Sequence, residues 1–170
     1  MSYSLPISSQ WFTQRERLSL EDFHTSIDTY ISPIEHTHQA LQDAYAPFIS
    51  TRGVLPFQCR KVIRLLLALN TEIHQCCQFL RETQTIPIVM MALRYQLLDE
   101  LHYLKEQADR LISYVHDMSS SQNCPSLVHY VRELFDKFLP LVADIPQHVS
   151  FLFDEARFQE KRFTSITAGG

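Results

Sequence analysis

Pro87 to Met118 reads PIVMMALRYQLLDELHYLKEQADRLISYVHDM. Met90, Leu97, Leu104, Leu111 and Met118 recur at every seventh residue, and Leu101, Ala108 and Val115 fill the places between them. Steps of three and four are the apolar seam of a long packed helix. At 1.5 Å per residue the seam predicts an element about 45–50 Å long. Asp99 falls almost opposite the seam, so the same spacing predicts that it is exposed.

From Pro56 to about Thr83, Val62, Leu66, Leu69, Ile73, Cys76 and Leu80 repeat the pattern. Ile63, Leu65, Leu67 and Ala68 make the first half of that helix apolar nearly all round, as expected of an element surrounded by neighbours. Only Glu82 to Ile86 separates the two seams, which predicts an antiparallel hairpin with its helices crossing at about 20°. Prolines punctuate the remainder. Ser19-Leu-Glu-Asp22 resembles a capping box, and Ser32-Pro33-Ile34-Glu35 combines a serine cap with a proline at the first helical position, predicting a second start or a sharp kink. Pro125 opens a further helix, Pro140 is expected to kink or end it, and Pro146 to begin a last one. The fold expected is all-α: a bundle of five to six helices built on a long central antiparallel hairpin. Residues 1–18 read as an N-terminal arm, 19–158 as a single helical-bundle domain and 159–170 as a frayed tail. No run alternates with period two for long, so no sheet is expected.

Among 170 residues only Gly53, Gly169 and Gly170 are glycines. Dinucleotide-binding fingerprints, phosphate-binding loops and nucleophile elbows all need glycines at fixed spacing, and these three cannot supply them. A net charge of −4 argues against a surface built chiefly to neutralise nucleic-acid phosphates. Eight histidines soften that balance, because protonating all of them would carry the net charge to +4. Cys59, Cys76, Cys77 and Cys124 show no disulfide framework, and Met1 to Phe12 lacks the basic and apolar regions of a secretory leader, so a cytoplasmic location is expected. No stretch approaches the roughly 20 apolar residues of a membrane span.

Several residue groups suggest chemistry. Helical bundles build carboxylate-bridged di-iron sites from Glu-x-x-His pairs and single glutamates. Glu35 to His38 has that spacing, Asp99 to His102 has it with aspartate, and Glu72 and Glu133 could complete the set. Helix geometry turns Asp99, His102 and Glu133 away from their seams, leaving His38 inside its stripe and Glu35 at its edge. His24 and His38 are the two inward histidines, so they are the candidate ligands for a metal or small molecule. They lie fourteen residues apart, about 21 Å on one continuous helix, and only a reversal of the chain near Pro33 could join them. His74, Cys76 and Cys77 diverge around their helix and read as inert. Arg110 and His116 have a spacing that resembles the ribonuclease motif of HEPN domains, which are themselves all-helical. Leu111 stands where that family usually carries a polar residue. The resemblance implies a nucleic-acid-directed activity and covers those two residues. Arg52, Arg60, Lys61 and Arg64 gather near the start of the second seam, where an acidic partner or nucleic acid could dock.

Long, well-patterned helices without a convergent set of polar groups point to a non-catalytic protein-interaction module, a regulator, adaptor or chaperone-like bundle, with no catalytic residue and no cofactor. Its partner is another protein or a second copy of itself. Short flanking helices could not cover a 45 Å hairpin along its length, which places the expected contact surface at the turn, on Ile88, Val89 and Leu93, with Arg60 and Arg64 as a second patch.

Overall fold

The computed structural model describes residues 18–50, 56–83, 86–120 and 124–169. The chain is all-helical there. Four helices form: α1 (Leu20–Ser50), α2 (Pro56–Glu82), α3 (Met91–Ser120) and α4 (Pro125–Gly169), with a 3₁₀ turn at Ile88–Met90 before α3. The arm expected over 1–18 lies outside the described residues except for Leu18.

The four helices close a ring. α1 packs on α2 and α4, and α3 packs on α2 and α4, while among the described residues the diagonal pairs stay apart at the backbone. Every neighbouring pair is antiparallel. Asn70 meets Asp109 and His74 meets Lys105 across α2–α3. Glu100 meets His148 and Tyr114 meets Tyr130 across α3–α4. Arg157 meets Glu21 and Tyr45 meets Asp136 across α1–α4. Phe23 stacks on Phe79 while Thr37 meets Glu72 across α1–α2. The α2–α3 hairpin is therefore present but not central: it is one side of a four-helix ring, and α2 has two flanking helices like every other member.

Five to six helices become four because the first and last helices each continue through prolines at which an end or a kink was expected. α1 runs through Pro33 and α4 through Pro140 and Pro146. A proline in a helix removes one hydrogen bond and crowds the carbonyl four residues earlier. Pro33 and Pro140 are exposed and Pro146 is half-buried. On the outer face the freed carbonyl remains open to water and the helix can bend around the core, so the apolar stripe continues without a change of phase. Leu20, Phe23, Ile27, Ile31, Ile34, Leu41 and Tyr45 are buried along α1, and Val131, Phe135, Phe138, Val142, Ile145, Val149, Phe153 and Ala156 along α4. α1 opens as expected, with the Asp22 N–H donating to Ser19 Oγ at 3.1 Å.

At 31, 27, 30 and 45 residues the helices are all long, about 40 Å or more. This removes the expectation that short helices leave the hairpin bare. α4 also continues to Gly169 through the segment expected to be a tail. Its side chains at Gln159, Glu160, Lys161, Arg162 and Ser165 are exposed, which is why the apolar spacing fades there while the helix does not. The stripe of Met90, Leu97, Leu101, Leu104, Ala108, Leu111 and Val115 is buried, and Asp99 is exposed.

Candidate interaction surface

Apolar side chains reach solvent at several places on the ring, among them Phe151 and Phe158 of α4, and two such regions lie on the α2–α3 hairpin. The first is the turn between α2 and α3. Pro87 is extended, and the Met90 N–H donates to its carbonyl at 2.9 Å to start the 3₁₀ turn. That turn sends successive side chains in different directions. Ile86 and Met90 enter the core, while Val89 and Leu93 are half-buried against it. Ile88 remains 65% exposed, Met91 44% and Tyr95 62%. These three are spaced by three and four, so they form one stripe on the outer side of the turn and the first turns of α3. Of the residues expected here, Ile88 is open, Val89 and Leu93 are largely used inside the chain, and Met91 and Tyr95 take their place. The Arg94 guanidinium lies 5.4 Å from the Tyr95 ring and reaches the Arg81 carbonyl at 3.5 Å, fastening the start of α3 to the end of α2. Beneath the turn an apolar void of about 10 Å³ between Phe23, Leu80, Leu97 and Phe153 has room for one water at most.

The second region is the outer seam between α2 and α3. A hollow of about 450 Å³ lies among Pro56, Arg60, Ile63, Ile112, His116 and Ser119. A shallower one of about 270 Å³ lies among Leu67, Asn70, Thr71, His74 and Lys105. Lys105 Nζ donates to His74 Nδ1 at 3.3 Å across its floor, and the Asn70 amide donates to Asp109 beside it. Leu67, in the wall of the second hollow, is 51% exposed. Arg60 and Arg64 are exposed, four residues apart on the same outward side of α2.

The histidines do not converge. His38 is buried, and its Nε2–H donates to the Leu139 carbonyl at 2.9 Å. His24 stacks on Phe153 with ring centroids 4.1 Å apart and accepts from Arg157 at Nδ1, while Arg157 also binds Glu21 and Asp154. Because α1 passes through Pro33 without reversing, both histidines stand on one helix with four turns between them. Glu35, Asp99 and His102 are exposed, Glu133 pairs with His129, and Glu72 accepts from Thr37 Oγ1. Among the described residues no three His, Cys, Asp or Glu side chains lie close enough to hold a metal ion. Arg110 and His116 are six residues apart on α3, about 120° around its axis, so His116 lines the first hollow while exposed Arg110 points elsewhere.

Cys59, Cys76 and Cys77 are buried free thiols and Cys124 is an exposed one. Burial pushes Cys76 up to about 12, whereas the Ser126 hydroxyl, together with backbone N–H groups, holds Cys124 below the usual thiol value. Two polar ties escaped the reading of the sequence. His148 donates from Nδ1 to Glu100, joining α4 to α3, and Arg157 joins α4 to α1. Their partners are 48 and 136 residues away, and local spacing carries no signal for such a pair. Comparison of the chain with protein-family profiles, curated proteins and solved structures yields no match.

Proposed function

We propose that the chain is a non-catalytic protein-interaction module, an adaptor or regulator whose helical ring presents outward side chains to another protein. The observation that carries this reading is the exposed stripe of Ile88, Met91 and Tyr95. Apolar side chains grouped in one stripe at the end of the hairpin offer a partner the anchor residues that dominate protein interfaces. The ring gives those anchors a rigid base, since Met90 and Leu97 beneath them are buried and Arg94 ties α3 to α2. Three buried thiols without a disulfide fit action in a reducing, cytoplasmic compartment.

The test is site-specific photo-crosslinking in cells, with a photoreactive phenylalanine analogue replacing Tyr95 and a control analogue at Glu133 on α4. The expected result is a discrete protein adduct from position 95, weakened when Ile88→Ser and Met91→Ser are added. Equal and diffuse labelling from both positions would overturn the reading.

A further inference from the structure

The outer α2–α3 seam differs from the rest of the molecule in charge. α2 holds Arg60, Lys61, Arg64 and Arg81 against two carboxylates, Glu72 and Glu82. Glu72 is turned toward α1, where it accepts from Thr37, and Glu82 is at the helix end, so the face of α2 beside α3 carries no acid from Pro56 to Arg81. From α3 the seam receives Lys105, His116 and one carboxylate, Asp109, which accepts from the Asn70 amide and leaves Arg60, Arg64 and Lys105 in excess. Glu106 and Asp117 of α3 are exposed and lie on its outward side, away from the hollows. By contrast α1, on the other side of α2, has five carboxylates and no lysine or arginine. In a chain of net charge −4, the seam is a local cationic strip with an apolar floor of Ile63, Leu67 and Ile112.

Its spacing is helical. From Arg60 to Thr71 on α2, and from Lys105 to His116 on α3, the two hollows are eleven residues apart on both walls. That is about 16 Å, and eleven residues of a partner helix return to the same face. We propose that the α2–α3 seam is a docking groove for an acidic amphipathic helix of a partner protein. Apolar side chains at positions i and i+11 enter the hollows, the second of them against Leu67, and flanking carboxylates face Arg60, Arg64 and Lys105. An apolar floor flanked by cations at helical spacing suits a helix better than a phosphate backbone, and among the described residues no Phe, Tyr or Trp lines the hollows to stack bases. This inference rests on the protein-interaction reading and adds the groove and the chemistry of its occupant.

The experiment uses the full chain and fluorescence anisotropy with four labelled probes. These are a helical peptide of about 18 residues with leucines on one face and glutamates on its flanks, the same peptide with lysine for glutamate, the same with serine for leucine, and a single-stranded RNA. The glutamate–leucine peptide is expected to bind at least tenfold tighter than the other three, and more weakly as salt is raised. The double variant Arg60→Glu/Arg64→Glu should lower its affinity about tenfold and Leu67→Gln severalfold, with unchanged circular dichroism. Equal binding of the lysine peptide, tighter binding of RNA, no effect of the charge reversal, or self-association of the wild-type chain that Arg60→Glu/Arg64→Glu abolishes would each overturn the proposal. Crosslinking from Tyr95 is read separately, so failure of the peptide to bind while the Tyr95 adduct persists rejects the groove and leaves the interaction reading standing.

Discussion

The His38 imidazole donates to the Leu139 carbonyl at 2.9 Å, joining the middle of α1 to the turn of α4 that contains Pro140. His38 is buried at 8% exposure, and the bond explains how its polar ring can be there. A buried ring without that partner would carry an unmet N–H through the core. His38→Ala removes both the packing and the bond, and is expected to cost about 2–4 kcal/mol in urea denaturation. His36→Ala, two residues away on the exposed side, should change stability by no more than about 0.5 kcal/mol. Equal effects of the two would show that His38 is not part of the α1–α4 contact.

Leu104 is 1% exposed at the centre of the α3 seam, and Asp99 is on the opposite side of the same helix. Leu104→Ala should therefore destabilise the chain by about 2–5 kcal/mol, while Asp99→Ala stays within about 0.5 kcal/mol. Thermal and urea unfolding of the two variants give the comparison directly. A Leu104→Ala cost below half a kcal/mol would mean that the seam is not the core.

The seams of α2 and α3 were legible because their apolar residues repeat at helical spacing and the connection between them is short. The ring was less so. Pro33 and Pro140 read as ends or kinks and Pro146 as a start, because local rules treat a proline inside a helix as a kink or a break. The contrary signal was the phase of the stripe: Phe23, Ile27 and Ile31 continue into Ile34 and Leu41 without a shift, and Phe138 continues into Val142, Ile145 and Val149. A proline on the polar side of an unbroken stripe is a bend, not an end. At the turn, the expected surface was Ile88, Val89 and Leu93, of which Ile88 is open and the other two are half-buried, because the direction of each side chain depends on the 3₁₀ geometry that precedes α3. Arg60 was visible as part of a basic cluster, but its position opposite His116 needed the antiparallel register of α2 and α3.

Glu72 sits between α1 and α2 with Oε1 accepting from Thr37 at 2.7 Å, while its buried Oε2 has no hydrogen-bond partner among the described residues. Burial, the largest influence, raises its carboxyl above 4.5 despite the opposing bond from Thr37 and the nearby His36. The folded chain thus holds this proton more tightly than the unfolded chain does. Its contribution to stability is fully present below pH 4.5 and is lost as pH rises through the raised folded value. Glu72→Gln keeps an oxygen for Thr37 and removes the charge, so it should be more stable than wild type at pH 7, with the difference closing as pH falls below 4.5. A variant less stable than wild type at neutral pH would show that the carboxylate is needed in its charged form.

The four thiols should separate into one fast and three slow groups when the native protein is treated with an aromatic disulfide reagent. Attack requires the thiolate and a path to it. Cys59, Cys76 and Cys77 are within 1% of full burial, and burial raises all three, Cys76 to about 12. Cys124 stands exposed just before α4, 3.2 Å from the Ser126 hydroxyl, which lowers it. One thiol per chain should react within the first phase and be absent in Cys124→Ser, and the other three should follow only as fast as the ring opens. Mild urea should speed the slow phase without changing the fast one. Release of two or more thiols in the first phase, with the fold intact by circular dichroism, would show that the Cys76–Cys77 segment of α2 is accessible and that the α2 contacts with its neighbours are looser than the packing described.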